Sequence, residues 1–340
     1  MDKKKMTAGK LLERHFMAKK GEAIVITLDT LSNMEAAELI AEAGHKMGLK
    51  VITVNMPAPT GVGMEVDGQI AGECIKGALN QADIWIELNK KWIFGSSTYS
   101  NIMGMNRKLR HMCLTGADML LLENCIGEVN YDVLIPFANR LVDIIKDANT
   151  MRMTTKMGMD ISFKNVKGRA VTCELGSANV PGSFMLPGQI AWTPDIDTIQ
   201  GKLVFDGALA PVCGVPKKPV KIEIVNGKVN SVTGGEEAAK YKNWLESFGH
   251  PQMLRISHTG LGLNPGAILS GDVIQDQRVW GSATWAFGSI GSNLVEKAVD
   301  APSHSDCVSL GITLYIDGRT IFEDGEVVDS ELSEIVRKIK

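Results

Sequence analysis

The sequence predicts an α/β protein in two parts, an N-terminal doubly wound, mostly parallel sheet followed by an α+β domain. Three observations carry this. Short β-branched runs alternate with amphipathic helical stretches over the first 150 residues, strand-like runs joined by tight turns dominate thereafter, and a chain of 340 residues is too long for one ordinary core. The division is therefore set at residues 1–150 and 151–340.

Ala23–Thr27 is a short apolar run that reads as a buried strand. Ser32, three residues before Glu35, marks a helix start, and the helix runs to about Gly48. Strands at Val51–Val54, Ile84–Leu88 and His111–Thr115 alternate with helices at Ile70–Ala78, Tyr99–Asn106 and Tyr131–Ala148. Such alternation implies right-handed crossovers and a parallel sheet. No GxGxxG follows the first strand and no P-loop occurs, so nucleotide binding is not expected. Beyond Thr150 strands are expected at Asp160–Phe163, Lys202–Phe205, Val220–Val225, Leu254–Ile256 and Leu310–Ile316, with a helix at Gly235–Phe248. Asn226-Gly227 between two apolar runs is a hairpin signal, and Asp317-Gly318 marks another turn.

Composition narrows the function classes. Hydrophobic residues make up 44% and charged residues 22%, with a net charge of −3, which argues against a dedicated nucleic-acid binder. The basic N-terminal stretch is followed by further charges and no apolar segment, so neither a signal peptide nor a membrane span is expected. Six cysteines without CxxC spacing fit free thiols in a reducing cytosol, so the expected location is cytoplasmic.

Of the six histidines, His15, His45 and His111 lie among charged residues and read as surface imidazoles. His250 precedes Pro251 in a loop, where a turn residue is the simpler reading. His304-Ser-Asp306 is different, because residues two apart on an extended segment share a face and can present an imidazole and a carboxylate to one ion. A hydrogen-bonded surface pair is the competing explanation. His258 sits where a strand enters the glycine-rich stretch Thr259–Gly266. Two histidines and one carboxylate form a facial set with coordination positions left open. The expected metal ligands are His258, His304 and Asp306, which makes the second part a metal-binding domain.

The second half resembles the aminopeptidase T family of metalloenzymes and its relatives, which include 2,5-dihydroxypyridine 5,6-dioxygenase. The matching stretches are Asp160–Phe163 with Gly168-Arg169, Leu186-Pro-Gly-Gln-Ile190 with Thr193-Pro194, Gly201 to Gly207, Gly260–Pro265, Gly281 to Gly288 and His304–Asp306. The N-terminal half is similar only in its strand–helix pattern. Where the aminopeptidases have Glu after Leu-Pro-Gly-Gly, this chain has Gln189; where they have Glu before the glycine turn, it has His258; and Thr284 aligns with one of their histidines. Too few anionic ligands remain for two ions. The resemblance therefore implies one divalent metal per chain, manganese, iron or zinc, held as in the dioxygenase, and a homodimer.

Two chemistries suit one ion with open positions. The expected one is hydrolytic ring opening of a small cyclic 1,3-dicarbonyl by water attack and C–C cleavage, as in dihydrophloroglucinol cyclohydrolase. The alternative is iron(II)-dependent cleavage of a dihydroxypyridine-like ring by dioxygen, and an aminopeptidase is less favoured. Glu174, Gln189 and His250 are the candidate catalytic groups, with Glu174 first as general base and Asp160 also considered.

Overall fold

In the computed structural model, which describes residues 2–337, the chain forms two compact units. One runs to Val129 and takes in Glu174–Pro187; the other comprises Asn130–Cys173 and the chain from Gly188 onward.

The first unit is built on a five-stranded sheet. Its strands are, in spatial order, Lys50–Met56, Ala23–Asp29, Ile84–Glu87, Arg110–Cys113 and Gly182–Met185, and every pairing is parallel. Burial on both faces explains the unbroken apolar runs: Ile24, Val25, Ile26, Ile84, Trp85 and Ile86 are all sealed from solvent. The first long helix, Met34–Lys46, is capped by Asn33, whose side chain accepts from the Ala36 amide, and not by Ser32. The Ser32 hydroxyl donates instead to Asp29.

Two features of this division differ from the boundary at residue 150. The helix Tyr131–Asp147 belongs to the second unit, where Phe137 stacks on Trp280 at 5.4 Å and Arg140 pairs with Glu331. The periodicity of an amphipathic helix shows that one face is buried but not which sheet covers it. The strand Gly182–Met185 returns to the parallel sheet beside Arg110–Cys113, a long-range pairing that local pattern cannot reveal.

The second unit holds an eight-stranded sheet and a five-stranded sheet. In the larger, both expected turns close hairpins: Asn226 and Gly227 have φ of 51° and 68°, and Asp317 and Gly318 have 48° and 83°. Two successive positive φ values suit the right-handed twist of the flanking strands. Phe163 meets Trp285 edge-on at 5.5 Å and Phe205 meets Phe287 at 6.5 Å, which joins the two sheets through buried aromatics. The smaller sheet orders its strands as Val299–Ser309, Ser282–Ile290, Ile256–Gly262, Gln189–Trp192 and Val171–Glu174. It carries His258, His304 and Asp306, with Gln189 and Thr284.

Gly260 and Gly262 lie inside a strand and not in a turn. A Cβ at Gly260 would stand 2.8 Å from the Ile190 carbonyl oxygen, and one at Gly262 would stand 2.2 Å from that of Val279. Neighbouring backbone passes too close there for any side chain, so the glycines mark close approach.

Candidate metal centre

His304 and Asp306 occupy alternate positions of the strand Val299–Ser309 and so share a face. They pair with Gly288 and Ala286 of the next strand, residues too small to cover them. One strand further on, Ile256 pairs with Phe287 and Thr259 with Trp285, so Ser257 and His258 together oppose Ala286. This is a β-bulge, which re-aims a side chain. It brings His258 Nε2 to 3.5 Å from Asp306 Oδ1, while His304 Nε2 lies 3.4 Å from the same oxygen. The two imidazoles stack at 5.3 Å with 12° between planes. One donor atom from each of the three residues lies within 4.8 Å of the others, and among the described residues no other such trio of His, Cys, Asp or Glu occurs.

The strand is fixed from its reverse side. Ser305 Oγ donates to the Ala210 carbonyl and accepts from the Tyr241 hydroxyl at 2.7 Å, and the Cys307 thiol donates to that hydroxyl at 3.2 Å.

Both histidines are held in one tautomer. His304 Nδ1 lies 2.9 Å from the Ser289 carbonyl oxygen, which can only accept, so Nδ1 carries the proton. Ser257 Oγ donates to that carbonyl at 2.7 Å and can only accept from His258 Nδ1, 3.3 Å away. In the neutral form of each ring, Nε2 presents its lone pair to the carboxylate.

The electrostatics agree with a cation site. Burial lowers the His258 pKa to about 4, against the opposing pull of Asp306, so the ring is neutral. Burial works to raise the Asp306 carboxyl, but His304, His258 and a hydrogen bond from Gln277 outweigh it and hold it at about 2. At His304 burial favours the neutral ring, and Asp306 with the Ser289 carbonyl outweighs it, so its pKa is raised. Asp306 Oδ1 is buried without a hydrogen-bond donor. An ionised carboxylate oxygen left bare between two imidazole lone pairs is what a bound cation satisfies. The side chains of His258, Asp306 and His304 remain 12%, 19% and 34% exposed, so the cluster is open on one side.

Gln189 and Thr284 lie on the same sheet. Gln189 pairs with Gly262 and is nearly buried; Thr284 pairs with Gly260 and Val308, and its hydroxyl is buried without a hydrogen-bond partner. Neither contributes a charge. His250 is exposed and accepts from the Gln252 amide at the start of the 3-10 turn Pro251–Leu254, and it is not among the groups acting on the trio. Glu174 belongs to the first unit, where its carboxylate accepts from the Met185 amide at 3.2 Å. Asp160 is exposed and paired with Arg152.

Two histidines read as surface groups are buried. His15 donates to the Gly176 carbonyl oxygen, 2.7 Å away, and is 2% exposed. His111 is fully buried with Nε2 3.0 Å from Glu87 Oε2 and Nδ1 2.8 Å from Ser183 Oγ. Their charged sequence neighbours misled, because successive residues on a strand or helix point different ways. Residues that reasoning missed are Ser257, Ser289 and Gln277; Ser289 acts through its backbone, which leaves no signal in the sequence.

A family model described as 2,5-dihydroxypyridine 5,6-dioxygenase matches residues 11–329. The chain is 23% identical over 337 residues to 2,5-dihydroxypyridine 5,6-dioxygenase of Pseudomonas putida, with 92% of each chain covered. The solved structure of 2,5-dihydroxypyridine dioxygenase from that organism matches with a TM-score of 0.76 and 20% identity over 97% of this chain and 98% of the other. AmpT from Thermus thermophilus matches with a TM-score of 0.65 and 12% identity, covering 96% and 99%. These findings correct two expectations. The similarity extends through the N-terminal half, and the ring-cleaving dioxygenases displace the hydrolytic reading, together with the word hydrolase. The donor set suits both chemistries, and neither the breadth of the wider family nor the many methionines and thiols decides between them.

Proposed function

We propose, since this chain belongs to the 2,5-dihydroxypyridine 5,6-dioxygenase family, that it is a metal-dependent dioxygenase that cleaves a dihydroxypyridine-like ring. The observation that carries the reading is the bare Asp306 oxygen between two imidazoles of fixed tautomer. His258, His304 and Asp306 would hold one divalent ion, and two nitrogens with one carboxylate are the donors that non-haem iron(II) oxygenases use. Iron(II), when bound, supplies the electron density that dioxygen needs.

The chain's own residues do the rest. One carboxylate and two neutral rings leave a divalent site net positive, which favours a ring whose hydroxyl oxygens carry negative charge. Ser257 and Ser289 keep the Nδ1 protons away from the donor face. The nearly buried Gln189, neutral and hydrogen-bonding, is assigned a polar contact to the ring. Glu174 and His250 are retained as candidates for accepting the ring hydroxyl proton, and Glu174→Gln and His250→Ala distinguish them by which one lowers turnover. A homodimer is carried over from the family resemblance and is tested by light scattering. No helix among the described residues is long and apolar enough to cross a membrane, and the six cysteines are thiols that form no disulfide. A cytoplasmic location belongs to the same reading.

The test is turnover of a dihydroxypyridine under labelled dioxygen with iron(II) restored. Both label atoms should enter the opened product, and samples without oxygen should bind the ring without consuming it. Consumption that proceeds equally without oxygen would overturn the proposal.

A further inference from the structure

We infer that Thr284 determines specificity: its hydroxyl, with the Gln189 amide beside it, receives the ring oxygen opposite the one that meets the ion. The inference rests on the reading of the trio as metal ligands and of the substrate as a dihydroxypyridine-like ring. Thr284 lies in the strand Ser282–Ile290, between the strand that carries His258 and the strand that carries His304 and Asp306. It is fully buried, its hydroxyl has no hydrogen-bond partner, and nothing in the chemistry above uses it.

Register puts that hydroxyl on the metal face. Residues directly opposite in an antiparallel pair share a face, and so do residues two apart on one strand. Asp306 stands opposite Ala286, and Thr284 lies two residues from Ala286, flanked by Val308 and Gly260. The alternate residues point the other way, where Trp285 meets Phe163 and Phe287 meets Phe205 between the two sheets. Two residues of strand span about 7 Å. Ala286 and Gly260 raise nothing larger than a methyl group from the floor of that span, and Val308 adds an apolar wall. A six-membered ring with an oxygen at each end fits along it, one oxygen toward the ion and the other toward Thr284.

Burial without a partner is the second observation. A sealed hydroxyl that neither donates nor accepts destabilises the fold, and valine would fill the same space without that penalty. Such a group is accounted for when a ligand supplies the partner. The neighbouring strand agrees. A Cβ at Gly260 would stand 3.4 Å from Gln189 Nε2, so the amide lies over the residue directly opposite Thr284. That amide makes no hydrogen bond among the described residues and is free to turn toward a ligand. Hydroxyl and amide can each donate or accept, so together they suit a ring oxygen whether it is protonated or ionised.

The experiment is titration of 2,5-dihydroxypyridine, 2-hydroxypyridine and 3-hydroxypyridine into the iron(II)-loaded full-length chain without oxygen, followed by ultraviolet difference spectra. Wild type, Thr284→Val and Thr284→Ser are compared, and the ligand-free forms are also melted. Thr284→Val should bind the dihydroxypyridine about 10-fold more weakly than wild type. It should bind each monohydroxypyridine within about twofold of wild type, because their single oxygen goes to the ion and leaves none for this position. Thr284→Ser keeps the hydroxyl and should bind the dihydroxypyridine within about threefold of wild type. Without ligand, Thr284→Val should melt no lower than wild type, since it removes an unpaired hydroxyl and keeps the volume. A lower melting temperature, unchanged affinity for the dihydroxypyridine, or an equal loss for all three rings would overturn the inference while leaving the proposed function intact. A wild-type chain that loads iron(II) and binds none of the three rings would overturn the proposed function and this inference with it.

Discussion

His304 and Ser257 donate to one backbone oxygen, that of Ser289, at 2.9 and 2.7 Å. A single carbonyl thereby sets the tautomer of two imidazoles, His304 directly and His258 through the serine hydroxyl. Only the second link depends on a side chain that can be exchanged. Ser257→Ala should therefore free the His258 tautomer and leave that of His304 unchanged. Metal affinity should fall about 10-fold, the lower end of the range for lost outer-sphere partners. Chelator competition measures the affinity, and nitrogen-15 shifts of the two rings report the tautomers. Equal disturbance of both rings would contradict the arrangement.

Metal stoichiometry is the second expected outcome. Asp306 is the only carboxylate of the trio, and Gln189 and Thr284 on the same sheet are neutral. A second divalent ion would meet no compensating charge there. Elemental analysis of chain loaded with iron(II) should return one ion, and His304→Ala or Asp306→Ala should return none. Gln189→Glu alone should leave the count at one, because Thr284 still offers no imidazole.

Much of this was legible in the sequence. The two-residue spacing of His304 and Asp306 fixed their shared face, and Asn226-Gly227 and Asp317-Gly318 marked hairpins that the structure contains. The bulge that turns His258 toward them was not legible, since a register shift is a property of two strands and not of either alone. The interior positions of His15 and His111 were missed because local charge was read as exposure.

The buried pair of Glu87 and His111 gives a third prediction. Both side chains are fully sealed, with Nε2 to Oε2 at 3.0 Å, and Glu87 Oε1 also accepts from the Ile93 and Phe94 amides. Trp85 packs on the imidazole at a centroid distance of 4.2 Å. Removing one member leaves a buried hydrogen-bonding group without its partner, which typically costs about 1–3 kcal/mol. His111→Ala should lower the urea midpoint accordingly, and Glu87→Gln combined with His111→Phe should recover part of the loss. A midpoint unmoved by His111→Ala would show that the pair contributes nothing to stability.

The last prediction concerns acid stability and turns on His15. Its ring is buried and spends Nδ1 on the Gly176 carbonyl oxygen. Burial lowers its pKa from 6.5 to about 4, with Lys10 and Arg14 adding in the same direction against the pull of the Gly176 carbonyl. The folded-state value lies below the unfolded one, so between pH 4 and 6.5 the unfolded chain binds the extra proton. Stability from this residue is therefore complete above pH 6.5 and is lost as the pH falls toward 4. The total is on the order of 3 kcal/mol, and it arises because protonation in place would bury a charge away from water. His15→Gln keeps a side-chain donor for the Gly176 carbonyl and removes the titration. Its melting temperature should sit below that of wild type at pH 7, and the gap should narrow steadily by pH 5. The comparison is best made with metal-stripped chain, so that loss of an ion in acid does not overlay the effect. A gap that stayed constant from pH 7 to pH 5 would show that His15 takes up its proton in the folded chain as readily as in water.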